Sequence, residues 1–423
     1  MDARRRAILA AGAAGVLAAA AAGCASSVRA DRKSRVVVVG GGYGGATAAK
    51  YLRLLDPSID VVLVEPREAF VACPGSNRVI GGFRTLADIT TSYTALERSH
   101  GVRVVRDRAS AIDAARREVR LERGASIGFD RAIVSPGIEP MWGEIPALQD
   151  PAVRARVPVA WEAGPQTLEL RRRLEAMPDG GTFVIAIPET PFRCAPAPYE
   201  RACQAAAYFQ RAKPRARIVI ADANGEIASE AGLFHRAWSE LYAGMIDYRP
   251  NSRAVDVDVA TGTVKLELED VKGDVLNVLP PVKAAAVADP FITANGRWCE
   301  VDWLTYESVA ARGVHILGDA LQHAPVMAKS GHMANAQAKV CAAAVVALLR
   351  GNAPNASPTL GNACYTWFSD KLAAHVATVH KYDTAERTMK SVPGAGGVSP
   401  MMNERDALYA EEWTRNITAD SFA

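Results

Sequence analysis

The stretch SRVVVVGGGYGGATAAKYLRLL, residues 34–55, constrains the fold more than any other part of the chain. Four consecutive valines suit a strand buried on both faces, the habit of a parallel sheet. Gly40, Gly42 and Gly45 then fit the spacing G-x-G-x-x-G, and an alanine-rich helix follows at once. Each glycine has its own reason. A side chain at Gly40 blocks the tight turn, one at Gly42 meets a pyrophosphate, and one at Gly45 holds the helix off the strand. A second strand, SIDVVLVEP, ends in Glu65, 20 residues beyond Gly45, the spacing of an acid that holds a ribose hydroxyl. Strand, turn, helix, strand and acid in one register predict a dinucleotide site opening an α/β domain.

What precedes this unit reads as an address. Arg4, Arg5 and Arg6 lead into an Ala/Gly-rich apolar run, and Val28 and Ala30 are the small residues a leader peptidase prefers. The twin arginine points to the route that exports folded, often cofactor-bearing proteins, so a periplasmic location is expected. AAGC ending at Cys24 offers the alternative of a lipoprotein tether. No later stretch approaches the roughly 18 apolar residues of a spanning helix. The net charge of +3 is accounted for by Arg4, Arg5, Arg6 and Arg29 against Asp2, so the remaining chain is neutral and nucleic acid is not an expected partner. At 423 residues, 49% hydrophobic and 22% charged, the chain has room for two or three domains.

The nature of the dinucleotide is read further along. GVHILGDALQHAP is an apolar strand ending in Gly318-Asp319, where a carboxylate takes hydrogen bonds from ribityl hydroxyls, which a flavin has and a nicotinamide nucleotide lacks. FAD is therefore the expected cofactor. This stretch is similar to the second FAD motif of the two-dinucleotide-fold flavoproteins, the superfamily of disulfide reductases and NADH dehydrogenases. RAIVSPGIEP, with Pro136 and Gly137, resembles their intermediate motif. The helix GHMANAQAKVCAAAVV is expected to aim its N-terminus at the flavin, where its dipole favours the negative charge of the reduced ring. Lys329 just before it either assists there or lies on the surface.

A second nucleotide-type unit has lost its ligand chemistry. DGGTFVIAIPETPFRCAPAPYERACQAAAYFQRA supplies a strand at 182–187 and a helix from about Tyr199, but its turn holds Pro188, Pro191, Pro196 and Pro198 instead of glycines. Proline removes N–H donors and bulk blocks close approach, so no NAD(P) is expected. ARIVIADANGEIASE continues the doubly wound pattern. Cys194 sits in the vacated turn.

Three segments narrow the resemblance: FVACPGSNRVIGG, PFRCAPAPYERA and GNACYTWFSD. They resemble the flavoprotein subunit of flavocytochrome c sulfide dehydrogenase, over essentially the whole chain after the leader. The resemblance implies an α/β fold with two Rossmann-like domains of the glutathione-reductase type and a C-terminal α+β domain. The boundaries are then 1–30 for the export signal, 31–147 with 288–352 for the FAD domain, 148–287 for the NAD-like domain, and 353–423 for the last. It implies FAD bonded to Cys73, a redox-active disulfide between Cys194 and Cys364, Glu200 beside it, Trp413 near the flavin, and a c-type cytochrome subunit as partner. Pro74-Gly75 stand where the family more often has bulk.

Sulfide is the implied substrate. HS⁻ attacks one sulfur of the bridge, leaving a persulfide and a thiolate, and sulfur or polysulfide is the product. A structural disulfide across 170 positions is the competing account, contributing roughly 4–5 kcal/mol in the entropy model. Glu200 either moves protons or complements a helix dipole. A sulfide:quinone oxidoreductase is the nearest alternative, but the tail from Ser391 is too polar and too broken by Gly and Pro for a membrane anchor. A flavin-less scaffold is the alternative from another class, and intact FAD motifs count against it. Cys203 and Cys341 fall in helical runs and Cys299 in GRWCEVDW, where packing is the ordinary fate. No Cys-x-x-Cys and no histidine spacing suggest a metal centre.

Overall fold

The computed structural model describes residues 33–423. The expected export signal, with its arginines and Cys24, lies outside them. The valine run forms β1 (Arg35–Val39), and α1 (Tyr43–Leu55), β2 (Asp60–Val64), the short α2 (Ser76–Ile80), β3 (Arg103–Val105) and β4 (Arg131–Val134) follow. The second unit contains β5 (Thr182–Ile187), α3 (Ala197–Ala212), β6 (Arg217–Asp222), α4 (Ala231–Glu240), β7 (Ile246–Arg249) and β8 (Val275–Val278). The chain then returns through β9 (Val314–Ile316) and α5 (Gly331–Leu349), and ends with β10 (Thr359–Trp367), β11 (Ala373–Asp383), β12 (Thr388–Val398) and α6 (Glu404–Phe422).

The first sheet runs β9-β4-β1-β2-β3 and the second β7-β6-β5-β8, every pairing parallel. Val36, Val37 and Val38 are fully buried at the centre of the first, as a strand covered on both faces requires. An antiparallel ribbon of Ile138–Pro140 with Val282–Ala284 joins the passages out of and back into the first unit. The last three strands form an antiparallel sheet, β10-β11-β12.

The C-terminal sheet spans two cores. Leu360 of β10 packs into the core of the first unit, whereas Phe368, just past the strand, packs into that of the second. Cys364 lies midway, so it is held where the two units meet.

One sequence expectation is corrected here. α5 is long and apolar enough to cross a membrane, contrary to the expectation that no stretch after the leader approaches that. It serves instead as a core helix, with Met333, Ala338, Cys341, Ala342 and Val345 completely buried. In the tail from Ser391, the Gly/Pro-rich part belongs to the edge strand β12, and most of the remainder is α6. That helix packs against α1 and buries Ile417 and Phe422.

Candidate functional site

The glycine turn has the shape its sequence demands. Gly40 has φ +96°, a conformation that favours glycine, and a Cβ there would lie 2.3 Å from the Ser135 carbonyl oxygen. A Cβ on Gly45 would stand 1.8 Å from the Gly40 oxygen. At Gly42 nothing is closer than the Phe70 ring at 3.9 Å, so open space lies where a phosphate would approach. Glu65, buried at the end of β2, accepts from Gly41 N at 2.8 Å and from Arg67 N and Nε at 2.9 Å each, fixing the turn against the second strand.

A solvent-accessible cleft lies where the first unit, the second unit and the C-terminal sheet meet. Cys73, Cys194, Glu200, Cys364 and Trp413 all line it, although four different parts of the chain supply them. Cys73 precedes α2; Gly75, at φ +90°, turns the chain into that helix. Its sulfur lies 3.8 Å from the Trp161 carbonyl. Pro74-Gly75 thus build the turn that presents Cys73 to the cleft.

Cys194 itself has φ +55°. Its N–H donates to the Lys329 carbonyl at 2.9 Å, and its carbonyl accepts from Ala197 N at 2.9 Å. The proline-rich loop is therefore stapled to the residue before the N-cap of α5. Cys364 lies 3.6 Å from Asn362 Oδ1, which also accepts from Ser330 Oγ at 2.6 Å. Both cysteines are free thiols in this structure. Burial pushes the Cys194 thiol well up, the neighbouring Cys364 and Glu200 charges push it further, and Arg193 opposes them. Burial raises Cys364 to about 11, with hydrogen bonds to Ser330 and Asn362 holding it back.

Glu200, in the first turn of α3, faces inward. It accepts from Trp367 N at 2.9 Å and from Asn77 Nδ2 at 2.6 Å. Burial raises its pKa against those bonds and the charges of Arg78 and Arg201. Arg201 is fixed beneath by Asn77 Oδ1, Asn277 Oδ1 and the carbonyls of Val159 and Ala160. Trp413 of α6 sits beside His332 and Tyr365, its Nε1 buried without a partner among the described residues.

The other expected cofactor residues lie off the cleft wall. Gly137, at φ +72°, follows β4, and Gly318 N donates to Gln337 Oε1 at 2.9 Å. Asp319 has a buried Oδ1 with no partner among the described residues, and burial raises its pKa against Arg193 and Lys329. Lys329 is not a surface lysine: it is 7% exposed, donates to the Asp319 and Leu321 carbonyls, and lies 3.8 Å from the Trp298 ring centroid. Burial lowers it to about 7. Tyr43 packs on Gly331 and feels the charge of Cys73, which ties the glycine turn to the cleft. These residues fit a flavin dinucleotide: the turn leaves room for phosphate, Asp319 has an oxygen to offer, and the cleft accommodates a ring system.

Sequence reasoning missed Asn77, Arg193 and Arg201. Arg193 was legible beside Cys194 in the proline turn; Asn77 and Arg201 become visible only when α2 and α3 meet. Cys203, Cys299 and Cys341 are all fully buried, as packing residues are.

Fold and site together define a flavoprotein of the pyridine nucleotide-disulphide oxidoreductase class, and a family profile of that description matches residues 34–160. Two more specific profiles match further segments: the central part of the sulfide dehydrogenase [flavocytochrome c] flavoprotein chain over 167–280, and the flavocytochrome c sulphide dehydrogenase flavin-binding domain over 356–422. The chain belongs to the family of flavocytochrome c sulfide dehydrogenase flavoprotein chains. The sulfide dehydrogenase flavoprotein chain of Chlorobaculum thiosulfatiphilum is 76% identical over 45 residues, 11% of this chain and 94% of that sequence. The mitochondrial sulfide:quinone oxidoreductase of Mus musculus is 25% identical over 298 residues, 67% of this chain and 65% of that protein. Among solved structures, the sulfide:quinone oxidoreductase of Aquifex aeolicus shares the fold, with a TM-score of 0.75 at 18% identity, covering 92% of this chain and 91% of that one.

Proposed function

We propose that this chain is the flavin-bearing half of an exported, periplasmic sulfide dehydrogenase. It oxidises sulfide to sulfur or polysulfide through a Cys194–Cys364 bridge and delivers the electrons to a c-type cytochrome subunit. The observation that carries the reading is the convergence of Cys73, Cys194 and Cys364 on one cleft from separate elements. HS⁻ attacks one bridge sulfur, forming a new S–S bond as the old one breaks; one cysteine becomes a persulfide and the other a thiolate. Arg193 on the cleft wall favours the anionic sulfur, as its lowering effect on Cys194 indicates. Glu200 is placed to hold or release a proton beside Cys194. A flavin bound in the cleft supplies the two-electron acceptor for the thiol pair and a one-electron donor for haem.

Cys73 is the proposed attachment point of FAD, supported by its position on the cleft wall. The absence of a nicotinamide route is supported by the second unit's turn and by Asp222. That acid, where a ribose would be held, is already bonded to Tyr199 and Tyr248 hydroxyls at 2.6 and 3.1 Å. The test is sulfide-driven bleaching of the bound flavin, followed by reduction of cytochrome c rather than a quinone analogue. Cys194→Ser and Cys364→Ser should each abolish bleaching while leaving flavin bound; turnover retained in either removes the bridge from the reaction. Cys73→Ala should leave the flavin extractable by acid precipitation, and flavin still attached to the precipitate would refute the linkage.

A further inference from the structure

One buried acid takes no part in that scheme. Glu230, immediately before α4, is 9% exposed and forms no ion pair among the described residues. Its Oε2 accepts from Thr366 Oγ1 at 2.7 Å, and its Oε1 is buried with no partner among the described residues. A desolvated carboxylate left half-satisfied is costly in its ionised form, and such groups persist where the proton is used.

The strand alternation explains which sulfur it serves. Residues two apart on β10 share a face, so Asn362, Cys364 and Thr366 point the same way. Thr366 is the residue Glu230 touches, and Cys364 is the next side chain along. Charge reaches across as well: ionised Glu230 pushes the Cys364 thiol up. The titratable groups around Glu230 are Cys364 from β10 and Glu200 from α3; the cations Arg78 and Arg201 attend Glu200. Burial, and then the Glu200 charge against the Thr366 bond, bring Glu230 to about 7.

We propose that Glu230 and Cys364 share a single negative charge, so that Glu230 governs the protonation of the Cys364 sulfur as the bridge opens and closes. The inference rests on the redox pair proposed above. A neutral Glu230 carboxyl lets Cys364 leave the bridge as a thiolate, whereas an ionised one holds that sulfur as the thiol, each proton gained or lost exchanging with solvent. No electrons move in this linkage. Glu230 is a positioning residue for charge, acting on Cys364.

The test needs neither sulfide nor turnover. In the flavin-loaded Cys194→Ser protein, where the bridge cannot form, alkylation of Cys364 by iodoacetamide is followed by peptide mass against pH, with and without Glu230→Gln. Near pH 6 both should react alike, since Glu230 is neutral in each. Near pH 9 the Gln variant should react about threefold faster, a fall of roughly half a unit in the thiol pKa. A ratio that stays flat from pH 6 to 9 overturns the proposal. A ratio that is constant but raised marks a packing effect and overturns it equally. Should Glu230→Gln fail to fold, Thr366→Val decides: loss of the bond that lowers Glu230 should move the alkylation break upward in pH, and an unmoved break is the contrary result. Because sulfide is absent, a failure of sulfide to bleach the flavin leaves this readout intact.

Discussion

β1 and β5 each launch a helix in a parallel βαβ unit, but three residues separate strand from helix in the first and nine in the second. In the first, glycines bring the helix N-terminus close to the strand end and leave a hollow at Gly42. In the second, the longer loop carries three prolines, a cysteine and the cis Thr190–Pro191 bond, and its Cys194 N–H is spent on the Lys329 carbonyl. The strand-end acids diverge in the same way. Glu65 holds the backbone of its own turn, whereas Asp222 is enclosed by Tyr199, Tyr248 and Asn224. A nucleotide cradle depends on free N–H groups and free space. The same scaffold with both filled becomes a rigid mount for a thiol.

The largest effect that tests this contrast falls on the first turn. Gly45→Val places carbon 1.8 Å or less from the Gly40 oxygen, and neither backbone can yield without lifting α1 from β1. The expected cost is about 3 kcal/mol or more, with flavin content falling toward zero. Purified variant protein with wild-type flavin per chain would break the comparison at its stronger end. Cys194→Ala is a different matter: that turn is proposed to bind no nucleotide, so flavin content should hold.

How much of this was readable beforehand follows from which forces are local. The β1 unit, α3, α5 and the proline-filled turn after β5 could be read because glycine spacing, proline content and apolar runs act within a dozen residues. The convergence of Cys194 and Cys364 carries no local signal, and spacing could not place it; it came from resemblance. The role of Lys329 was left open because a lysine beside a helix N-terminus is ordinarily exposed. Only the tertiary placement of Trp298 and the carbonyls of Asp319 and Leu321 makes a buried ammonium tolerable there. Glu230 went unread for a similar reason: its partner Thr366 is 136 positions away.

A smaller change sharpens the other end of the comparison. Tyr199→Phe removes the hydroxyl that donates to Asp222 at 2.6 Å and accepts from Ala228 N at 3.2 Å, in a site where Tyr199 is fully buried. Asp222 keeps Tyr248 and Asn224, so the loss is partial, and an expected cost of about 2 kcal/mol should show as a lower midpoint in urea. NADH should still leave the flavin oxidised. On the proposed reading the prolines and the Cys194 staple, not the acid's occupancy alone, exclude the nucleotide, and freeing one carboxylate oxygen restores none of the missing N–H donors. If the variant does admit electrons from NADH, the second unit is a masked cradle rather than a rebuilt one, and the strand-end acid is the mask.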